Sequence, residues 1–312
     1  MDSKGEPRFD PNFTQNVINA MGPNTTPRNR EIFTALFKHL HDFTREVELT
    51  IPEWQAGMLF LDAVGHMYYT SGKTRHEMHR LSDISGLESL VDEIAHKHAS
   101  ESGQPTSSSI LGPFWSPDAP FRENGESIVI NEAPGGLVTL MHGKVIDLET
   151  KKGIPNAIVD IWQASANGKY DFQDPENQKP NNLRGKFRTN ENGEYHFYCL
   201  RPTAYSLPQD GPSWQMLQML DRHPMRPAHI HLMISAENYK QVVTQLFPSD
   251  DPWLKTDTVF AVKDDLVVDF VPTDKDPKCV RDLTYNITLA PKGIPGDSGP
   301  VKQVLGDAYK SV

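Results

Sequence analysis

The stretch from which the fold follows is Arg226-Pro227-Ala228-His229-Ile230-His231-Leu232-Met233-Ile234. In a strand, successive side chains alternate between the two faces. Ile230, Leu232 and Ile234 then share one face, apolar enough to line a core, while His229 and His231 share the other. Two imidazoles two residues apart on a rigid strand can both aim at one point above the sheet. That arrangement suits two cis ligands of a metal ion. His-x-His also arises by chance in a chain with 12 histidines, so a metal site here requires further ligands from elsewhere.

Composition bounds what those ligands can be. The chain has 312 residues, 37% hydrophobic and 23% charged, as expected of a globular protein of one or two cores. A formal net charge of -10 argues against a nucleic-acid partner, which needs a positive field. No apolar run approaches a membrane span, and Met1-Asp-Ser-Lys-Gly-Glu-Pro7 lacks the apolar core of a signal peptide, so a cytoplasmic home is expected. Only Cys199 and Cys279 occur, too few for a disulfide framework or a thiolate zinc site. Any metal must be held by His, Tyr, Asp or Glu.

Upstream, residues 1–98 read as a helical region. Residues 1–11 form a frayed tail. Thr26 then suits an N-cap and Pro27 the first helical position. Ile32, Phe33, Leu36, Phe37, Leu40, Phe43 and Val47 follow a helical stripe. Thr50-Ile51-Pro52-Glu53 has capping-box spacing and opens a second helix through Trp54, Met58, Leu61, Val64 and Tyr68. A third runs from Thr74 to Lys97 and is weakened or broken at Gly86. On it, His76 and His79 share a face at i, i+3, and a solvated surface is expected there. These amphipathic helices must bury their stripes on each other, on the next domain or on a second subunit. A dimerisation module is one outcome.

Residues 99–136 form a linker and pocket wall, polar at first and then Ile110-Leu-Gly112-Pro113-Phe114-Trp115. Residues 137–290 read as an antiparallel β-sandwich. Strands are expected near 138–146, 157–163, 185–190, 194–200, 228–235, 241–247, 257–263, 265–270 and 283–289, with no helix between them. Residues 291–312 are a polar, Pro/Gly-rich tail. The long loops 164–184 and 201–226 carry Tyr170 and Tyr205, which complete a possible set of two phenols and two imidazoles. Two phenolates with two neutral imidazoles favour Fe(III) over Zn(II) or Cu(I).

Three segments now carry a resemblance. Met141-His-Gly-Lys-Val145 continues to Asp160-Ile161 and Gly168-Lys-Tyr170; Arg201-Pro-Thr-Ala-Tyr205-Ser-Leu-Pro208 follows; Arg222-His-Pro-Met-Arg226-Pro-Ala-His229-Ile-His231 is the most specific. In this order they resemble the intradiol ring-cleavage dioxygenases, in the catechol/hydroxyquinol 1,2-dioxygenase branch, from about Pro27 to Leu289. The resemblance implies one non-haem Fe(III) per subunit held by Tyr170, Tyr205, His229 and His231. It implies that Tyr205 leaves the metal and takes a substrate proton, that Arg226 and Gln245 stabilise developing charge, and that the helical region forms a homodimer. The reaction it implies is O2-dependent opening of a diol ring between its hydroxyl-bearing carbons to a muconate. Leu232 and Trp115 depart from the commoner aromatic choices, and a bulkier Trp115 at the rim bears on substrate range.

The implied substrate is a small aromatic diol or triol. The wall Ile110, Gly112, Pro113 and Phe114, with Leu81, Asp83 and Glu88 on the third helix, looks closer to hydroxyquinol-type members than to catechol-type ones. Asp83 or Glu88 would meet a third hydroxyl, unless both carboxylates face solvent. A non-catalytic sandwich domain and a zinc hydrolase stand as readings of a different class.

Overall fold

A computed structural model describes residues 10–71, 75–96, 103, 105–131 and 134–292. The expected tail before residue 10, the linker positions 99–102 and 104, and the tail from 293 onward lie outside these residues. The chain divides into two compact units between Asp62 and Ala63.

The first unit is helical. A short α1 (Phe13–Asn19), which the sequence reading did not assign, joins α2 (Pro27–Glu46) through Thr14, whose hydroxyl meets His41 Nδ1 at 3.0 Å and Arg45 Nη2 at 2.7 Å. Thr26 caps α2 by accepting the Asn29 N–H at 3.2 Å, with Pro27 in the first turn. In α3 (Ile51–Thr70), Thr50 and Glu53 form the expected reciprocal capping box. The stripe residues Phe33, Leu36, Leu40 and Phe43 of α2, and Trp54, Met58 and Leu61 of α3, are exposed.

The second unit opens with α4 (Glu77–Ile84) and α5 (Leu87–His96), split where Gly86 adopts φ 75°. Although they belong to the stretch read as the helical region, they are tied to the β-rich part. Ser89 Oγ donates to Val259 O at 2.9 Å, and Lys263 Nζ reaches Asp92 Oδ2 at 2.7 Å.

Beyond α5 come β1 (Val138–Asp147), β2 (Ile158–Trp162), β3 (Arg184–Arg188), β4 (Glu194–Leu200), β5 (Tyr205–Ser206), α6 (Gly211–Met219), β6 (Met225–Arg226), β7 (Ile230–Ser235) and β8 (Val242–Pro248). The short β9 (Val267–Val268), β10 (Val271–Pro272), β11 (Arg281–Thr284) and β12 (Ile287–Leu289) complete the unit. One five-stranded sheet is built on β1, with β4 antiparallel to it and β11 and β12 parallel to it. The other runs β3-β2-β7-β8-β9. The sandwich is therefore mixed rather than purely antiparallel, because the chain returns to the free edge of β1 only after the long crossover that a parallel pair needs.

Two further expectations fail for local reasons. The loop 201–226 contains α6, which has Pro212 in its first turn and buries Leu217. Residues 257–263 are not a strand: the Asp257 carboxylate accepts the N–H groups of Val259 and Ala261, at 3.2 and 3.0 Å, which wraps the backbone round it.

Strand register separates core from site. Ile230, Leu232 and Ile234 of β7 pair with Leu246, Thr244 and Val242 of β8 on the core side, and each is fully buried, worth about 1.5–3 kcal/mol. On the opposite face the register aligns four side chains across four strands: Arg184, Trp162, His231 and Gln245. All four are buried beneath loops. Among the described residues no helix is long and apolar enough to cross a membrane.

Candidate active site

Four side chains named from sequence come together over that row. β7 carries His231, and the turn leading into it carries His229; their rings lie 4.8 Å apart at 79°. Tyr205 on β5 is paired with Arg226 on β6, and its ring is 5.3 Å from that of His229. Tyr170 is delivered by a tight turn in which Ser165 and Lys169 are hydrogen-bonded, and its ring stands at 89° to that of Tyr205, 6.3 Å away. Gly168 makes the approach possible. It sits at φ 77°, and a Cβ there would lie 3.2 Å from Tyr205 Cβ.

Each imidazole is oriented from behind. His229 Nδ1 lies 2.8 Å from Pro227 O, and a carbonyl only accepts, so the proton is on Nδ1 and the lone pair on Nε2. Trp162 stacks flat on His231, 4.8 Å between centroids and 8° between planes. His231 Nδ1 and the Tyr170 hydroxyl are buried without a hydrogen-bond partner. Burial pushes both phenols above their ordinary pKa, Tyr170 further than Tyr205, and the Arg226 charge works the other way on both. Burial, reinforced by Arg226, holds His229 well below the usual imidazole range; burial and the neighbouring His229 do the same for His231. The quartet thus offers two imidazoles with free lone pairs and two phenols, and the Tyr170 hydroxyl has no hydrogen-bond partner. This donor set can hold a hard metal ion, which would favour the ionised phenols.

Arg226 is the charge nearest the quartet. Burial opposes its charge, but Asp257 offsets this, contacting Nε and Nη2 at 3.2 and 3.3 Å, and its pKa is raised. Arg226 Nη1 lies 3.2 Å from His229 Nε2 and Nη2 donates to Gln245 Oε1 at 2.8 Å.

The expected wall closes over this group. Gly112, at φ 68°, passes so close that a Cβ would be 3.4 Å from His231 Cε1. The Phe114 ring packs 4.7 Å from that of Tyr170. Ile110 is buried in the main core and Leu81 packs against that core, while Pro113 is exposed. Trp115 Nε1 donates to Asp160 Oδ2 at 3.0 Å, anchoring the rim.

Asp83 does not face solvent, and Glu88 is half-buried. Asp83 is buried, its Oδ1 has no hydrogen-bond partner, and burial first, then the adjacent Glu88, raise its pKa to about 8. It is close enough to Arg226 and Tyr205 to act on both electrostatically. Glu88 accepts the Leu111 N–H at 3.3 Å and meets His79 Nε2 at 2.6 Å. His79 is thus no free surface histidine, as its sequence context suggested: Asp83 lies one helical turn further on, 3.6 Å from Nε2. Sequence reasoning also missed Asp257, Trp162 and Arg184. A Trp and an Arg at matching strand positions on the histidine face were the available signal for the last two. Asp257 had none, because its segment was read as a strand.

Residues 110–291 match the family model described as Dioxygenase, and residues 26–103 the one described as Catechol dioxygenase N terminus. The chain belongs to the intradiol ring-cleavage dioxygenases and is an enzyme of that family, which sets aside the non-catalytic and zinc-hydrolase readings. It is 59% identical over 286 residues to an intradiol ring-cleavage dioxygenase of Aspergillus niger, covering 91% of this chain and 90% of the relative. A catechol 1,2-dioxygenase of Candida albicans is 41% identical, covering 89% of this chain and 91% of its own. The crystal structure of hydroxyquinol 1,2-dioxygenase from Pseudomonas putida aligns with a TM-score of 0.81 at 36% identity, over 90% of this chain and 98% of that one.

Proposed function

We propose that the chain is a non-haem Fe(III) dioxygenase that opens catechol-type rings between the two hydroxyl-bearing carbons, with both atoms of O2 entering a muconate-type product. The observation that carries this reading is the quartet of buried Tyr170, His229 and His231 with half-buried Tyr205, in which the Tyr170 hydroxyl has no partner within the protein. In this reading those four residues hold the iron. When bound, ferric iron supplies a Lewis acid and electron acceptor that makes an ionised diol reactive towards O2. Tyr205 Oη takes one substrate hydroxyl proton. Its pKa, raised by burial, makes it a strong proton acceptor once ionised. Arg226, held charged by Asp257, stabilises negative charge that develops on the ring oxygens. Gln245 fixes the guanidinium in place. The wall over His231 excludes water.

Hydroxyquinol is the favoured substrate, since the unpartnered Oδ1 of buried Asp83 suits a third hydroxyl as donor. Catechol is the second reading, supported by the 41% identity to a catechol 1,2-dioxygenase. We further propose that the enzyme acts in the cytoplasm as a homodimer, with the exposed stripe of α2 and α3 as the dimer surface.

The test is the visible spectrum of iron-loaded protein, before and after each diol is added without O2. A broad phenolate-to-iron band that shifts with diol, and more at low concentration with hydroxyquinol, is the expected result. A colourless protein containing stoichiometric iron would refute the tyrosine ligands. A larger shift with catechol would reverse the substrate order. A monomer by light scattering would remove the dimer.

A further inference from the structure

The outer-face row of the second sheet ends in Arg184 at one side and Gln245 at the other, with Trp162 and His231 between. Both ends reach the same piece of chain. Gln245 Nε2 donates to Ile110 O at 2.8 Å, and Arg184 Nη1 donates to Phe114 O at 2.6 Å. The wall is therefore pinned at its first and last residues by the two ends of the row, and its middle residue, Gly112, passes over His231.

Arg184 does more at its own end. Its Nε and Nη2 both approach Asp171 Oδ1 at 2.9 Å, and Asp171 Oδ2 accepts the Asn181 N–H at 2.8 Å. Asp171 directly follows Tyr170, and the guanidinium carbon lies 5.5 Å from the Tyr170 ring centre. One planar fork thus spends three donors on the turn that delivers a tyrosine and on the wall whose Phe114 packs against that tyrosine. A lysine has no such fork. Arg184 is buried to 3% exposure, so water does not replace these bonds when they are lost.

Resting on the function proposed above, we infer that Arg184 is a positioning residue that locks the Ile110–Phe114 wall and the Tyr170 turn to one strand position and so sets the width of the substrate pocket. It touches neither substrate nor metal. Its role is to keep the two sides of the pocket moving as one.

The test uses the full chain and has two arms. In the first, amide hydrogen exchange is followed on metal-free protein, comparing wild type with Arg184→Gln. Exchange across 110–116 and 165–172 should rise roughly tenfold or more while β7 and β8 are unchanged, as expected when buried charge-assisted bonds are removed. Unchanged exchange in both segments overturns the inference, and so does a uniform rise across both sheets, which marks a merely structural residue. In the second arm, iron-loaded protein is given catechol and 4-methylcatechol. The ratio of their KM values should shift by about threefold or more, with a smaller change in kcat for catechol, and the visible band should move. An unmoved ratio and band overturn the inference, as does full rescue by Arg184→Lys. If Arg184→Gln does not fold, Asp171→Asn takes its place and should loosen 165–172 and shift the same ratio; wild-type behaviour overturns the inference. A wild-type protein that takes up iron but cleaves no diol sinks the proposed function, while the exchange arm still decides the role of Arg184.

Discussion

Arg226 and Gln245 are joined by a single hydrogen bond whose direction is forced: the guanidinium only donates, so the amide oxygen faces it at 2.8 Å, and the amide nitrogen is left to reach Ile110 O. The pair links the charge beside the tyrosines and histidines to the first residue of the pocket wall. Gln245→Glu keeps the shape and the acceptor, removes the donor and sets a carboxylate against the Arg226 guanidinium. It should lower kcat/KM by roughly tenfold to a hundredfold, the cost of an unsatisfied buried carbonyl and a displaced wall. Steady-state kinetics with catechol checks this, and an unchanged value would detach Gln245 from the site.

Tyr170→Phe should act in opposite directions on stability and on chemistry. The hydroxyl is buried with no partner, so deleting it from metal-free protein should stabilise by about 1–3 kcal/mol in urea unfolding. The same variant should show a weakened and shifted visible band when iron is added, since only Tyr205 is left to supply a phenolate. A destabilised metal-free variant would mean that the hydroxyl is bonded after all.

Asp257→Asn breaks the buried pair that holds Arg226 charged, with side chains exposed only 4% and 2%. An uncompensated buried guanidinium costs about 3–5 kcal/mol, so the variant should unfold at markedly lower urea. It should also lose turnover before it loses folding. Wild-type stability would mean that the pair is dispensable.

Asp83 governs a pH dependence. Burial raises its folded pKa to about 8, above the unfolded value, so between the two the folded state holds one proton more than the unfolded chain. Stability should therefore fall as pH rises through that window, by at most about 1.4 kcal/mol per pH unit. His79, raised by its bond to Glu88, adds a loss of the same sign above the ordinary imidazole pKa. Glu88, with a lowered pKa, acts the other way, but only at lower pH, around its own titration range. Asp83→Asn should flatten the decline and stabilise the protein at pH 8. Thermal unfolding from pH 5 to pH 8 would contradict this if both proteins lost stability in parallel.

The alternation in Ile230–Ile234 was enough to assign one face to the core and the other to the histidines, and the strand register agrees with it. Capping residues Thr26 and Thr50 likewise marked real helix starts. What was not legible depended on distant partners. Residues 257–263 have an apolar, strand-like look, but the carboxylate of Asp257 bonds its own following backbone and ties it to Arg226. α6 is too short for periodicity to declare. Asp83 and Glu88 could be read as solvent-facing or pocket-facing, because their burial is decided by how α4 and α5 meet each other and the wall.

The aligned row Arg184, Trp162, His231 and Gln245 makes the site a matter of parity. Inserting or deleting one residue within β2, β3, β7 or β8 would exchange odd for even positions, turning imidazole, indole and guanidinium into the core and aliphatic side chains out of it. Such a change could leave a sandwich standing while erasing its chemistry. The turn and loop segments that carry Pro113 and Trp115 have no such parity. Side-chain changes at exposed positions such as Pro113 can therefore reshape the mouth of the pocket, and with it the range of rings admitted, as long as the strands beneath keep count and the wall stays pinned at both ends.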